Sequence, residues 1–210
     1  MKNLIKKYSN KNDNILDVGC GEGYLTRMIF NLKRKAYGCD ISPEMITAAK
    51  KQNEKIDYWI QDIEQKNSNF KKPKFKIIIS NLVFTYLKNT NQTLKNIYNY
   101  LDQDGILIIA IPHPCFYHQE NYLWFMDETI NQYHFGNYFN EKTFIKEIFN
   151  GFKTHYIHRK LETYFSTFIK NNFNLISFLE PKPKKVSTNI LKRVNQIPNI
   201  AFFVLQKKTV

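Results

Sequence analysis

The sequence predicts a single α/β domain over residues 1–210, built on a doubly wound, mostly parallel sheet of seven strands with an antiparallel last strand. Three observations support this fold class. Short apolar runs alternate with helix-like stretches through the first half of the chain, as in successive βαβ units. A turn that carries three glycines follows the first apolar run. The chain then ends in two β-prone runs joined by a long connection, which is typical of a closing antiparallel pair.

The first half of the chain supplies five predicted strands and three predicted helices. The strands are predicted at 14–18, 35–40, 57–61, 75–80 and 106–111, and the helices at 24–32, 42–52 and 90–101. Ser42 suits the N-cap of the second helix, and Pro43 suits its first position because that N–H would have no helical partner. The stretch 102–105, which contains a glycine, is predicted to form a turn before the fifth strand.

The second half predicts an aromatic insertion and two final strands. The insertion lies at about residues 115–158, after the fifth strand, and a β-hairpin is predicted around Asn150-Gly151 because type I′ turns favour Asn-Gly. A helix is predicted at 161–171, and the last two strands at 174–179 and 200–206. We expect the insertion to be a lid. Its aromatic side chains either wall a pocket or simply pack the insertion onto the sheet.

Composition excludes several classes of protein. Hydrophobic residues make up 43% of the chain, so it can bury a core and is not a disordered sequence. No apolar stretch is long enough to predict a membrane span. The three cysteines, Cys20, Cys39 and Cys115, are isolated and form no CxxC pair. This usage predicts reduced thiols in a cytoplasmic protein, and we expect no metal site.

The strongly basic charge leaves two interpretations open. The formal net charge is +13, which is compatible with a nucleic-acid partner. The lysines are scattered along the whole chain, with only short clusters at 71–74 and 182–185. A solvated basic surface is therefore the favoured interpretation, and a nucleic-acid partner is possible but not favoured.

The most informative motif is the segment 16–23, of sequence LDVGCGEG, where the first strand enters the first helix. Glycine at Gly19, Gly21 and Gly23 permits both a tight turn and a close approach of a ligand to the backbone. Such turns lie at the carboxyl ends of strands, where open α/β sheets bind ligands. The spacing is GxGxG, whereas the longer GxGxxG turn is the one that cradles a pyrophosphate.

Two acids accompany this turn. Asp40 ends the second predicted strand, and its carboxylate can accept two hydrogen bonds from the vicinal hydroxyls of a ribose. Because dinucleotide cofactors use the same geometry, Asp40 alone does not choose the cofactor. An alternative role for Asp40 is capping the helix that follows. Asp17 is placed either to hold a ligand's ammonium group or to bond backbone amides of the turn.

Together with Gln61-Asp62-Ile63 and the segment 79–84 after the fourth strand, these motifs resemble class I S-adenosylmethionine-dependent methyltransferases over about residues 14–206. The resemblance implies a Rossmann-like fold, S-adenosylmethionine as the cofactor and S-adenosylhomocysteine as its product. It also implies that the acid Asp62 meets the adenine amino group while Ile63 packs on the ring; an ordinary turn acid is the alternative for Asp62. The implied cofactor-binding residues are Asp17, Gly19, Cys20, Gly21, Gly23, Tyr24, Asp40, Ile41, Met45, Asp62, Ile63, Asn81 and Leu82.

Residues for the methyl acceptor are predicted after the fifth strand. His113 lies between two prolines that restrict its backbone, and it is our candidate for a catalytic base or an acceptor contact. The alternative is a histidine bonded to local backbone. The segment 113–116, of sequence HPCF, resembles a bacterial subgroup of these methyltransferases. We expect Phe116, Tyr117, His158 and Tyr164 to contact the acceptor, although a purely structural helix start is an alternative for the last two.

The sequence therefore favours methyl transfer to an oxygen or nitrogen of a small-molecule acceptor. An RNA methyltransferase, acting on tRNA or rRNA, is the main alternative, and a non-catalytic scaffold is a third. Only 13 residues precede the first predicted strand. This start leaves two possibilities, a cofactor cleft open on one side or a cleft closed by a partner subunit in an oligomer.

Overall fold

The computed structural model of the protein describes residues 1–66, 72–116, 124–127, 132–135, 138–149, 152–182 and 198–209. Its elements, in chain order, are α1 (Lys2–Tyr8), β1 (Asn14–Val18), α2 (Tyr24–Asn31), β2 (Lys35–Asp40), α3 (Pro43–Gln52), β3 (Asp57–Ile60), β4 (Phe75–Asn81), α4 (Thr90–Tyr100), β5 (Leu101–Pro112), β6 (Trp124–Asp127), β7 (Gln132–Phe135), β8 (Thr143–Phe149), β9 (Phe152–Ile157), α5 (Leu161–Lys170), β10 (Phe173–Leu179) and β11 (Ile200–Lys207).

The main sheet has seven strands in the order β10-β11-β5-β4-β1-β2-β3. The five strands from β5 to β3 run parallel to one another. The last strand, β11, runs antiparallel to both β5 and β10. The predicted fold class, a mostly parallel seven-stranded sheet with an antiparallel last strand, is therefore confirmed.

Each face of the sheet is covered by its own apolar layer. Successive side chains of a strand point to opposite faces, so Leu16 joins one layer and Ile15 the other. The layer of Leu16 includes Leu94 of α4 and Phe168 of α5. The layer of Ile15 includes Ile46 of α3 and also residues of α1 and α2. Helices on both faces make the sheet doubly wound and leave the ends of its strands for binding.

The start of α3 matches its prediction. The Ser42 side chain accepts a hydrogen bond from the Met45 N–H at 3.2 Å, and Pro43 opens the helix. Because this cap fixes where the helix begins, it also fixes the direction in which the chain leaves Asp40 at the end of β2.

The structure corrects two predictions about the first half of the chain. The helix α1 was not predicted, and it packs Ile5 into one apolar layer. The turn predicted at 102–105 was wrong, because β5 already begins at Leu101. The pairing of β5 with β4 shifts register between Phe75 and Ile77, which accommodates the extra residues of β5.

The described residues of the insertion form two small antiparallel sheets, β6–β7 and β8–β9. The second confirms the predicted hairpin, although the Asn150-Gly151 turn itself lies outside the described residues. The end of β9 is attached to the loop after β4, because the Ile157 N–H donates to the Thr85 carbonyl at 2.7 Å. Within the described part of the chain, no helix combines the length and the apolar character needed to cross a membrane.

Candidate active site

A cleft of about 470 Å³ lies across the carboxyl ends of β1 to β4. Pockets of this size hold small molecules and cofactors, and their usual place in open α/β sheets is this edge. The described residues that line it are Val18, Gly19, Asp40, Ile41, Gln61, Asp62, Ile63, Glu64, Asn81, Leu82, Val83, Tyr86, Leu87 and Thr154.

The glycine turn reaches this cleft through Gly19, which forms part of its wall. Gly19, Gly21 and Gly23 all have positive φ, at 69°, 53° and 81°, where side chains with a Cβ are strained. A Cβ on Gly19 would lie 2.3 Å from a methyl carbon of Val83, and one on Gly23 would lie 2.4 Å from the Tyr58 hydroxyl oxygen. Gly19 and Gly23 are therefore required for close packing, whereas a Cβ on Gly21 would meet open space.

The carboxylate of Asp40 connects the glycine turn to the start of α3. Its Oδ2 accepts from the Gly21 N–H at 2.8 Å, and its Oδ1 accepts from the Ser42 N–H at 3.0 Å. A carboxylate has about four lone-pair sites, so each oxygen keeps capacity for one more donor. Asp40 also lines the cleft. The structure thus shows that it braces the backbone near the helix start and still leaves it able to accept ligand hydroxyls.

The turn after β3 forms the opposite wall of the cleft. Asp62 accepts from the Glu64 N–H at 2.9 Å, and Ile63 is a buried residue that lines the cleft. Gln61 is fixed on both sides, because its Oε1 accepts from Trp59 Nε1 at 2.6 Å and its Nε2 donates to the Tyr100 hydroxyl at 2.8 Å. This wall presents a carboxylate beside an apolar surface, which suits a planar heterocycle.

The end of β4 contributes Asn81 and Leu82 to the cleft. Leu82 has a φ of 63°, which is uncommon for a leucine and indicates backbone strain. Its N–H donates to the Ala110 carbonyl at 2.8 Å, so pairing with β5 holds it in this conformation. The strain turns the chain sharply at the cleft and directs Val83 toward the glycine turn.

Asp17 lies beneath the glycine turn and is 1% exposed. Its Oδ2 accepts a hydrogen bond from the Thr26 hydroxyl at 2.7 Å. Burial, and to a lesser extent the nearby charge of Asp40, raises the pKa of Asp17 to about 7, while the bond from Thr26 opposes that shift. Asp17 does not line the cleft and lies below the glycine turn. Contact between Asp17 and a ligand ammonium group therefore remains a prediction.

The raised pKa of Asp17 predicts a pH-dependent stability. In the unfolded chain the Asp17 carboxyl has its ordinary pKa of 3.8, whereas in the folded chain its pKa is about 7. The stability that the neutral form provides is therefore present below about pH 4 and is lost as the pH rises through about 7. The Asp17→Asn variant, which stays neutral, should become increasingly more stable than the parent over this range, by on the order of 4 kcal/mol above pH 8.

Chemical denaturation at several pH values between 4 and 8 measures this difference. Thr26→Val provides a control, because it removes the hydrogen bond to Asp17 but leaves the titrating carboxyl in place. A stability difference between parent and Asp17→Asn that stays constant with pH would contradict the buried, neutral carboxyl.

Five further predicted cofactor residues are not on the described wall of the cleft. Cys20 is buried, and burial together with the charges of Asp17 and Asp40 raises the pKa of its thiol. Gly21 and Gly23 shape the turn from outside the wall. Tyr24 is 74% exposed, and Met45 is also exposed on α3. Cofactor contact therefore remains a prediction for these five residues.

His113 is 1% exposed and has partners for both ring nitrogens. Its Nδ1 accepts from the Cys115 N–H at 3.2 Å, so Nε2 carries the proton and donates to Glu180 Oε1 at 2.8 Å. Burial lowers the pKa of His113, although the Glu180 partner opposes this shift. His113 does not line the cleft, and it could act as a base only by giving up the bond from Cys115.

The residues predicted to contact the acceptor also lie away from the described cleft wall. Tyr164 is packed in the core against Phe168 and Phe203. His158 is buried, and its Nε2 bonds the Tyr138 carbonyl oxygen at 2.8 Å. Contact of these two side chains with the acceptor therefore remains a prediction.

The Phe116 ring packs against the His113 ring in a tilted arrangement, with centroids 4.8 Å apart. Tyr117 lies outside the described residues.

Several residues on the wall were not predicted as site residues. They are Val18, Gln61, Glu64, Val83, Tyr86, Leu87 and Thr154. Tyr86 and Leu87 follow the motif after β4 by a few positions, so the loop before α4 is the signal that could have indicated them. Thr154 comes from β9 of the insertion, and no local pattern in the sequence could have brought it to the cleft.

Comparisons with known proteins agree with this geometry. Residues 9–175 match the model of a family described as "Methyltransferase domain". The chain is 27% identical to a protein of Listeria monocytogenes whose crystal structure is described as that of an S-adenosylmethionine-dependent methyltransferase, with 98% of this chain and 97% of that chain covered and a TM-score of 0.78. An S-adenosylmethionine-dependent methyltransferase of Mesorhizobium loti shares the fold at 17% identity, covering 98% and 96% of the chains with a TM-score of 0.75.

Curated relatives match over a shorter region. The malonyl-[acyl-carrier protein] O-methyltransferase of Bacillus anthracis is 35% identical over 115 residues, which are 52% of this chain and 42% of that protein. The juvenile hormone acid O-methyltransferase of Bombyx mori is 26% identical over 145 residues, 61% of this chain and 52% of that protein. The chain therefore spans about half the length of these curated relatives or less.

The family model covers most of the chain, and the Listeria structure matches nearly all of it. The glycine turn, the acid that ends β2 and the cleft at the carboxyl edge of the sheet agree with both. This chain belongs to the methyltransferase-domain family, and its fold is the one found in S-adenosylmethionine-dependent methyltransferases.

Proposed function

We propose that the cofactor lies across the cleft with its adenosine over the ends of β2 and β3. The free lone pairs of Asp40 accept the ribose hydroxyls, and the adenine ring lies against Ile63 with its amino group at Asp62. The methionine part lies beside Gly19 and Asn81, at the ends of β1 and β4. The support is that these five residues line one cleft whose donors, acceptors and apolar surface suit those groups in that order.

We propose further that the methyl acceptor is a small-molecule carboxylic acid, methylated on a carboxylate oxygen. When bound, S-adenosylmethionine supplies a methyl group on a positively charged sulfur. The protein then has to align the attacking oxygen with the methyl carbon and sulfur and to exclude water, and such alignment is worth about 7–11 kcal/mol. An anionic oxygen is also attracted to this positively charged centre.

The observation that carries this proposal is the composition of the cleft wall, because its described residues include no histidine, lysine or cysteine that could act as a base. The carboxylates of Asp40, Asp62 and Glu64 each accept a backbone N–H and so help to hold this wall in place. His113 is engaged at both nitrogens. Because a carboxylic acid is already ionised at neutral pH, it needs no base, whereas a phenol or an ammonium group does.

The relatives add independent support. Both curated relatives described above carry names of O-methyltransferases, and those names refer to a malonyl group and to a hormone acid. The cleft wall beyond Leu82 is formed by Val83, Tyr86, Leu87 and Thr154. A mostly apolar surface with the hydroxyl-bearing side chains of Tyr86 and Thr154 suits an organic acid with a hydrocarbon or thioester portion.

The test uses S-adenosylmethionine labelled in its methyl group. The probes are a malonyl thioester with a free carboxylate, the matching malonamide thioester, and total bacterial RNA. We expect label only with the acid, in a product that releases labelled methanol in alkali because methyl esters hydrolyse there. Because the acceptor carboxylate stays ionised from about pH 6 to 9, its own titration should contribute no change of rate over this range.

Two results would overturn the choice of acceptor. Alkali-stable label on the amide would indicate transfer to nitrogen. Label in RNA, with activity that falls steeply as salt increases, would indicate the nucleic-acid alternative that the net charge of +13 keeps open.

A further inference from the structure

The turn from Asp62 to Gln65 is held from behind by a buried asparagine of α4. The Nδ2 of Asn96 donates to the Ile63 carbonyl at 2.8 Å and to the Gln65 carbonyl at 2.7 Å. The Oδ1 of Asn96 accepts from Gln92 Nε2 at 3.0 Å. Asn96 is 2% exposed, so both N–H groups and the oxygen find their partners inside the protein.

Two more contacts join α4 to the same segment. The Asn89 N–H donates to a carboxylate oxygen of Glu64, and the Tyr100 hydroxyl accepts from Gln61 Nε2 at 2.8 Å. These contacts lie at the beginning and the end of α4, and Asn96 lies between them. The helix therefore supports residues 61–65 along its length, and residues 61–64 form one wall of the cleft.

Among these contacts, the hydrogen bonds of Asn96 would cost the most free energy to lose. A buried amide costs free energy unless its polar atoms are bonded, and a buried carbonyl left without a donor is costly in the same way. Asn96 satisfies two carbonyls with one side chain, so it fixes two peptide planes relative to each other. The peptide between Ile63 and Glu64 is one of them, and its position sets where Asp62 and Ile63 face the cleft.

We propose that Asn96 is a positioning residue for recognition of the adenine ring, acting through Asp62 and Ile63 without touching the cofactor. This inference rests on the proposed placement of adenosine over β3. It predicts that loss of Asn96 weakens discrimination at the purine amino group more than it weakens contacts with the ribose or the methionine part.

The experiment measures dissociation constants by calorimetry for S-adenosylhomocysteine and for S-inosylhomocysteine, in which the purine amino group is replaced by oxygen. The parent protein should prefer the adenosyl compound. In Asn96→Ala, affinity for the adenosyl compound should fall about tenfold, which corresponds to about 1.4 kcal/mol, while affinity for the inosyl compound changes less. The preference for adenine therefore shrinks.

Asn171→Ala is the matched control. Asn171 is also a buried asparagine, and its Nδ2 also donates two hydrogen bonds, to Asn91 Oδ1 and the Thr167 carbonyl, both at 2.8 Å. The bond to Asn91 fastens the end of α5 to α4, and the bond to Thr167 stays within the last turn of α5. Neither bond involves the cleft turn. Asn171→Ala should lower the free energy of unfolding to a similar extent and leave the preference for adenine unchanged.

Gln92→Ala keeps the test decisive if Asn96→Ala does not fold. It removes the donor that orients the Asn96 amide but leaves Asn96 itself in place, so the preference for adenine should shrink in the same direction by a smaller factor. A parent protein with no preference for adenine would overturn the placement of adenosine. A clear preference in the parent that both variants retain in full would overturn the role of Asn96 alone.

Discussion

Replacing Asp40 with alanine is expected to weaken S-adenosylmethionine binding by about 1–3 kcal/mol, or roughly 5- to 150-fold. The variant loses the acceptor for the ribose hydroxyls. It also leaves the N–H groups of Gly21 and Ser42 without the carboxylate that now accepts from them. Both losses affect the cleft, because the first removes a contact with the ribose and the second removes a bond that holds the glycine turn. Isothermal titration calorimetry measures the change.

Asp13→Ala is a matched control for this prediction. The Asp13 carboxylate also accepts a backbone N–H, from Asn10 at 2.8 Å, but it lies before β1 and does not line the cleft. Its loss should leave cofactor affinity unchanged. Equal affinity of the parent and Asp40→Ala would remove Asp40 from the site and, with it, the proposed placement of the ribose.

Gly19→Ala is expected to have the largest effect on the folded protein. A residue with a Cβ in the left-handed region costs about 1–2 kcal/mol, and forcing an extra methyl into a packed site costs about 1–3 kcal/mol more. The new Cβ would lie 2.3 Å from a Val83 methyl carbon, so Val83 must move. Because Gly19 and Val83 both line the cleft, cofactor binding should be lost together with stability.

A double-mutant cycle separates the two causes of this loss. In Gly19→Ala combined with Val83→Ala, the two methyl groups of Val83 are gone, so the new Cβ at position 19 meets only the Cβ at position 83, at 3.3 Å. Relative to Gly19→Ala alone, the double variant should regain the free energy of unfolding that was lost to the steric clash. The cost of placing a residue with a Cβ at positive φ should remain. Strict additivity of the two substitutions would show that the glycine is not required for packing against Val83.

Local patterns in the sequence predicted most of the elements that build the site. Ser42 and Pro43 fixed the start of α3, because capping and proline geometry depend only on neighbouring residues. The glycine turn was predicted for the same reason, since positive φ and close approach both demand glycine. The missed helix α1 and the early start of β5 depend instead on tertiary packing, which overrides weak local preferences.

Contacts between distant residues could not be predicted from one sequence. Asn96 and the Ile63 carbonyl are separated by 33 positions, and His113 and Glu180 by 67. Nothing near His113 indicated that both of its nitrogens would find partners. The two prolines that flank His113 restrict its backbone whether it is a catalytic base or is paired with a buried partner. Only the folded structure shows that it is paired with Glu180.

A crystal structure of the protein with S-adenosylhomocysteine tests the proposed placement of the cofactor most directly. We expect the ribose hydroxyls within hydrogen-bonding distance of Asp40, the adenine ring against Ile63 with its amino group at Asp62, and the sulfur near Asn81. An adenosine bound at any other place, or a cleft filled by the protein's own side chains in the complex, would contradict this placement.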